Sequence, residues 1–365
     1  MALVALLTLL ATPSVRLLTP AAAKAHGPIA PVRVGVSFSP QRARALGLDY
    51  QVAFRQLETM HFRVIRLSAY WSDVDQGGYS DLDWMMSEAQ RARQPVVLSV
   101  GMKGLGWPEF FIPSSLLPAG RVADGHDVAQ EEDLRQAALR FVDDTVRRYR
   151  DNHALFAWQV ENEPFNRAGP DRWWIDPAFV REEMEGVRLL DHQNRPLVLN
   201  TFSHFNLLFD QASNRGGLDL SQLLGFDGDT AEKDSLALLS KGDVLGLDVY
   251  TAIGYRFLGA DHLSRADANW PDRLEALRQA AQSQGKQAWI TEAQAEPWEA
   301  SPDTYADPRS TSPAEIRGLF NALKEAGFGT ILLWGSEYWL WRAGQGDQRW
   351  LDTVQRILAE NASPV

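Results

Sequence analysis

Two glutamates stand where they could work as a pair. Glu163 closes Leu155-Phe156-Ala157-Trp158-Gln159-Val160-Glu161-Asn162-Glu163-Pro164, and Glu292 closes Gln287-Ala288-Trp289-Ile290-Thr291-Glu292, about 130 residues later. Each acid ends a short apolar run of the kind that forms a strand buried on both faces. Two carboxyls facing each other are what glycosidic cleavage needs, one protonating the leaving oxygen while the other attacks the anomeric carbon. Their surroundings must then push the two proton affinities apart. The composition removes most rival chemistries. Seven His and no Cys, with no two His at i, i+2 or i, i+4, give no zinc motif, so neither a metal nor another cofactor is expected. The balance of 36 Lys+Arg against 47 Asp+Glu, a net charge of −11, comes without a basic run and sets nucleic acid aside.

The elements that must bring the two acids together are strands and helices in alternation. At 45% hydrophobic and 23% charged the chain is of ordinary globular composition, long enough to bury a large core. Strand candidates are Val32–Ser37, Arg63–Leu67, Val96–Val100, Leu155–Val160, Leu197–Asn200, Val244–Val249, Ala288–Thr291 and Thr330–Trp334. Between them lie amphipathic patterns such as Leu134-Ala138-Leu139-Phe141-Val142-Val146 and Leu274-Leu277-Ala280-Ala281. Ser312-Pro313-Ala314-Glu315 is a capping box with Pro at the first helical position. Eight strand–helix units without a linker-like break predict an α/β fold, a single (β/α)8 TIM barrel over residues 30–361. An open doubly wound sheet fits less well, because Gly35-Val36-Ser37-Phe38 is no Gly-rich first turn.

Loop lengths support the barrel. Helix-to-strand links are brief, as at Gln94-Pro95 and Lys241-Gly242-Asp243, while strand-to-helix links are long: Gly101–Ala129, Asn162–Pro177, Thr251–Asn269, Ala293–Thr311 and Gly335–Gly346. Barrel enzymes build their sites on the loops at the C-terminal strand ends, which is where the extra residues fall. The chain has 13 Trp, of which Trp71, Trp107, Trp173, Trp174, Trp298, Trp339 and Trp341 fall in these loops. Trp in polar, Gly/Pro-rich loops offers flat apolar faces on which sugar rings stack. Trp158 and Trp289, inside strands, read as core.

Residues 1–25 read as a signal peptide or N-terminal membrane anchor. Met1 to Ser14 is uncharged and contains Ala-Leu-Val-Ala-Leu-Leu-Thr-Leu-Leu, and Ala21-Ala22-Ala23 offers a small-residue cleavage site. A basic start is missing, since the first charge is Arg16. The expectation is a secreted or periplasmic protein, with a helix packed beneath the barrel as the other reading of this segment.

Asn162-Glu163-Pro164 at the end of the fourth strand candidate, with Glu292 at the end of the seventh, resembles the clan of retaining (β/α)8 glycoside hydrolases that includes cellulases, mannanases and β-glucosidases. The likeness covers residues 32–345. It implies that Glu163 is the acid/base, Glu292 the nucleophile and Asn162 a partner of the sugar 2-hydroxyl. Arg66 resembles the second-strand arginine that hydrogen-bonds the nucleophile, Tyr250 the sixth-strand tyrosine beside it, and Trp334 the eighth-strand tryptophan that floors the first subsite. Trp71, Trp298, His204 and Glu337 are further candidates to contact substrate, and Glu296 is read as a loop residue near a subsite. Glu161 competes for the carboxylate role. Two residues before Glu163, it would point the same way one layer deeper, where it must find a partner unless the strand has already bent. The chain departs from the cellulase-like pattern twice: Ser99-Val100-Gly101-Met102-Lys103 lacks the third-strand His, and Asp248 stands where many members carry a His two residues before the tyrosine.

These residues together predict a retaining β-glycoside hydrolase acting on an oligo- or polysaccharide, with a carbohydrate as its partner and no stable protein partner implied. The alternative is a barrel of the same kind that binds carbohydrate or serves assembly without turnover.

Overall fold

The computed structural model describes residues 31–117, 120–203, 205–206, 210, 230–301 and 304–362. The segment 1–25 and His204 lie outside the described residues. Eight parallel strands close a barrel. In chain order these are β1 (Arg33–Ser37), β2 (Val64–Ser68), β3 (Val96–Val100), β4 (Leu155–Val160), β5 (Leu197–Phe202), β6 (Val244–Val249), β9 (Gln287–Gln294) and β10 (Thr330–Trp334). β7 (Ala252–Phe257) and β8 (Ala260–Arg265) form a separate antiparallel pair. All eight strand candidates coincide with barrel strands, and β9 runs past Thr291 to Gln294. Glu292 therefore lies inside the strand. The β6–β9 register slips between Leu247↔Ile290 and Asp248↔Glu292, so both Thr291 and Glu292 reach the mouth of the barrel.

The helices are α1 (Pro40–Ala45), α2 (Tyr50–Thr59), α3 (Trp71–Gly77), α4 (Ser80–Ala92), α5 (Glu132–Tyr149), α6 (Pro177–Leu190), α7 (Thr230–Leu238), α8 (Trp270–Ser283), α9 (Pro313–Glu325), α10 (Ser336–Gly344) and α11 (Arg349–Glu360). Apolar residues at three- and four-residue spacing face the barrel. In α5 these are Leu134, Ala138, Phe141, Val142 and Val146, all buried. Ser312 caps α9 as its sequence predicts, its side chain accepting the Glu315 N–H at 3.3 Å. Among the described residues, no helix is long and apolar enough to cross a membrane.

Two stretches expected to be plain loop are ordered. Thr251–Asn269 contains the β7–β8 hairpin, turned by Leu258 and Gly259, both at positive φ (49° and 80°), the backbone that matches strand twist. Its alternation is masked because Ala252, Ile253 and Gly254 are all buried at the base. Gly335–Gly346 contains α10, which drives Trp339 into the core with its indole N–H on Ala295 O at 2.6 Å.

Candidate active site

Side chains two residues apart on a strand share a face. Inside this barrel that spacing divides the interior. Val64, Val97, Ala157, Val198, Val244, Trp289 and Leu332 form one apolar cluster. Two residues further along β2, β4 and β5, the same face carries Arg66, Gln159 and Asn200, all buried. Arg66 uses all three arms of its guanidinium: Nε to Ser37 Oγ at 2.9 Å, Nη1 to Gln159 Oε1 at 3.2 Å and Nη2 to Glu292 Oε1 at 2.5 Å. Tyr250 donates to the other Glu292 oxygen at 2.5 Å. Both oxygens of Glu292 are thus held by strong donors, Arg66 from β2 across the barrel and Tyr250 from the end of adjacent β6, which fixes the carboxylate's orientation.

Glu163 has the opposite surroundings. β4 ends at Val160, and Glu161 and Glu163 take positive φ (59° and 48°), so the chain bends out of the sheet where the two acids stand. Asn200 Oδ1 accepts the Glu163 N–H at 2.9 Å, and Lys103 Nζ donates to the Glu163 carbonyl at 2.8 Å. These contacts hold the backbone and leave the carboxyl among other acids. Burial, with Glu292 nearby, pushes Glu163 up to about 7, while Lys103, Arg66 and a hydrogen bond to Asp248 act in the other direction. Glu109, following Trp107-Pro108, adds a carboxyl at about 8, raised by burial and by Glu163 and Glu292.

Glu161 is removed from the cleft. Its oxygens accept the Met102 and Lys103 N–H groups at 2.7 and 2.6 Å. Gly101, at φ 134°, makes room for it, since a Cβ there would lie 2.3 Å from the Glu161 carboxyl carbon. Burial raises Glu161 to about 7, and Glu183 of α6, itself buried, is held well above the ordinary range by burial and by Glu161. The bend and the partner expected from the sequence are both present.

Above these groups opens a cleft of about 580 Å³, lined by Asn162, Glu163, Glu292, Tyr250, Trp334 and Trp298 together with Arg42, Glu109, Trp107 and Glu296. Trp298 is 40% and Trp107 73% exposed, so flat faces remain open to a ligand. Trp298 stands edge-on to Tyr250 with ring centroids 4.9 Å apart. The Trp334 indole N–H donates to Glu296 Oε1 at 3.0 Å, and Arg42 pairs with Glu296 Oε2 at 2.7 Å.

Glu163, Glu292, Arg66, Asn162, Tyr250, Trp334 and Trp298 are thus brought together. Trp71 is not among them: it opens α3, is 6% exposed and stacks on Phe141 at 5.3 Å, because the short second loop passes directly into a helix whose first residue faces the core. Glu337 does not reach the cleft either. It is 4% exposed in the first turn of α10, where its Oε1 accepts the Ser39 N–H, and burial raises it to about 7. Glu296 occupies the cleft wall in front of it. The sequence reading missed Gln159, Asn200, Arg42 and Glu109. Gln159 and Asn200 carried a signal, as polar residues two places after Ala157 and Val198 in otherwise apolar strands. Among the described residues, no group of three or more His, Cys, Asp or Glu is arranged to hold a metal ion.

No protein-family model matches the chain, and no curated protein matches its sequence. Its fold matches solved structures of β-glycoside hydrolases. A β-galactosidase from the psychrophilic Marinomonas ef1 aligns with TM-score 0.53 and 15% identity over 82% of this chain and 53% of its own. An exo-β-1,4-mannosidase from Opitutaceae bacterium strain TAV5 aligns with TM-score 0.52 and 14% identity over 92% and 61%. A GH5_18 protein from Streptomyces cattleya, in complex with GlcNAc, aligns with TM-score 0.56 and 13% identity over 93% and 83%. The chain spans about half the length of the β-galactosidase. At these identities the likeness is one of fold.

Proposed function

We propose that this protein is a retaining β-glycoside hydrolase acting on an oligo- or polysaccharide. The observation that carries the reading is the contrast between two carboxyls in one cleft: Glu292 gripped by Arg66 and Tyr250, Glu163 raised to about 7. A carboxyl of that affinity holds its proton in mildly acidic solution and can deliver it to a leaving oxygen. In the first step Glu163 protonates the glycosidic oxygen as Glu292 attacks the anomeric carbon, releasing the alcohol and leaving a glycosyl-enzyme. Water then attacks the same carbon, giving its proton to Glu163 as the bond to Glu292 breaks. In this reading Asn162 meets a sugar hydroxyl and Trp334 and Trp298 stack on sugar rings, a role supported by the position of all three in the cleft lining.

The solved glycosidases of the same fold support the reaction class. The test is a screen of aryl β-glycosides and polysaccharides beside a Glu292→Gln control. Hydrolysis that depends on Glu292 and releases sugar of retained anomeric configuration is expected. Binding without hydrolysis would favour a carbohydrate-binding protein instead. Export is part of the proposal, resting on residues 1–25 alone, and N-terminal sequencing of protein recovered outside the cytoplasm checks it.

A further inference from the structure

The loop from β3 to α5 brings to the cleft a carboxyl that the mechanism leaves unused. Lys103 and Phe110 form an antiparallel bridge. Three backbone hydrogen bonds hold the turn they flank: Gly104 N–H to Glu109 O, Glu109 N–H to Gly106 O and Phe111 N–H to Met102 O, each at 2.9 Å. The turn is also fixed from outside. The Tyr70 hydroxyl donates to Leu105 O at 3.0 Å. Gly169, in the loop after β4, lies so near that a Cβ there would be 2.7 Å from Pro108 O. A Cβ on Gly106 would stand 3.8 Å from the Trp334 ring, so the turn sits beside that indole. Glu109 leaves the turn at φ 78°, a backbone that a residue with a side chain disfavours, and it lines the cleft with Glu163 and Glu292.

The other acids of the cleft wall are matched. Glu292 is held by Arg66 and Tyr250, and Glu296 by Arg42 and the Trp334 indole. Glu109 is not: its Oε2 is buried and no group donates to it. Lys103, whose charge acts on Glu109, turns its ammonium to the Glu163 and Asn166 carbonyls at 2.8 and 3.5 Å. A carboxyl taken from water without a donor costs free energy, and the protein meets that cost on a strained, tightly held turn. The cleft side of the carboxyl is where a donor can arrive. We propose that Glu109 is a specificity-determining residue whose carboxyl takes a hydrogen bond from the sugar ring over Trp334, given by a hydroxyl or by the ammonium of an amino sugar. The proposal rests on the glycosidase reading. A site that receives a donor rejects the sugar that lacks it or presents it from the other face, because the carboxyl is then left buried and unpaired.

Aryl β-glycosides with one leaving group and a single change on the ring read this contact: the glucoside, the mannoside, the galactoside and the 2-amino-2-deoxyglucoside. Each protein is assayed at its own pH optimum, so that the effect of the Glu109 charge on Glu163 drops out. Glu109→Ala should lower kcat/KM on the preferred sugar by about 10- to 100-fold and on the others far less, narrowing the preference. Glu109→Gln, which keeps an acceptor, should fall between native and Ala if a hydroxyl donates, and match Ala if an ammonium does. An unchanged preference in Glu109→Ala overturns the proposal, whatever happens to the overall rate, and leaves the glycosidase reading standing. So does a lowered melting temperature with the preference intact, the mark of a countercharge to Lys103. A second arm needs no turnover. Calorimetry of β-1,4-linked disaccharides of the same sugars, in a Glu292→Gln background, should show Kd for the preferred sugar weakened by a similar factor when Glu109→Ala is added. Equal Kd values overturn the proposal. A Glu109-dependent Kd in a native chain that hydrolyses none of the glycosides upholds the contact while the glycosidase reading fails.

Discussion

The barrel interior holds two layers separated by a step of two residues, about 6.6 Å, along the same strands. In the lower, Val64, Val97, Ala157, Val198, Val244, Trp289 and Leu332 fill space. In the upper, the same strands present Arg66, Ser99, Gln159, Asn200, Gly246, Thr291 and Trp334. Here a glycine matters for what it omits: a Cβ on Gly246 would come within 2.7 Å of both Asn200 Cβ and Thr291 Oγ1, the residues that hold Asp248. The lower layer asks of each side chain only volume and low polarity, so its members can exchange bulk among themselves. The upper layer asks for a matched donor or acceptor at each place, so one change orphans a buried partner. Stability without chemistry and chemistry at a cost in stability sit one step apart.

The sharpest break between the layers is expected at Glu292. Glu292→Ala should abolish turnover, and added azide should restore only a glycosyl azide of inverted configuration, because the anion enters the space the proposed nucleophile left. Glu163→Ala should slow substrates with poor leaving groups by on the order of 10²–10⁴-fold while sparing the first step for good ones. Azide should then give a product of retained configuration. Exchanged outcomes would show that the two roles are reversed, and full activity in Glu163→Ala would return attention to Glu109, whose carboxyl also lines the cleft.

The fold was legible because apolar strands and long loops repeat eight times, and a repeat survives local ambiguity. The pair Glu163 and Glu292 was legible for a related reason: an acid closing an apolar strand stands out against its neighbours. Arg66, Tyr250 and Trp334 followed through resemblance. Trp71 misled because a Trp just past a strand end reads the same whether the next residues are loop or the first turn of a helix. Glu109 and Arg42 gave no signal, since a charged residue in a polar loop or an exposed helix is ordinary until the fold folds it over a cleft. Asp248 was visible only as a departure from pattern, and its surroundings depend on Asn200 of β5 and Thr291 of β9, partners from two other strands.

The lower layer should answer mutation differently. Leu332→Ala removes a buried side chain of the apolar cluster, and should cost about 2–5 kcal/mol of stability. Urea denaturation reads that loss, while the pH profile of kcat/KM on folded protein should be unchanged. A profile that moved would show that the layers are mechanically coupled and that volume below tunes affinity above.

The smallest effect is the pH dependence of stability, to which the lower cluster contributes nothing because it has nothing to titrate. Glu161 and Glu163 are each raised from an ordinary 4.5 to about 7 by burial, and Glu109 to about 8. Between about pH 4.5 and 7 the folded chain therefore binds protons that the unfolded chain has released, so the unfolded state binds fewer and the free energy of unfolding falls as pH rises. Stability from these groups is fully present below the unfolded value and is lost as pH climbs through the folded one. Asp83, Glu88 and Asp347 are lowered by their Arg partners and work in reverse, losing their contribution only at acid pH. The melting temperature should accordingly peak near pH 5 and fall by several degrees towards pH 8. Glu183→Gln removes a buried carboxyl held well above its ordinary range by burial and by Glu161, so part of that slope should flatten without loss of the Glu161 contacts to Met102 and Lys103. A native slope of the opposite sign would mean that the buried acids are ionised in the fold, and that charge pairing holds them where we read neutral carboxyls.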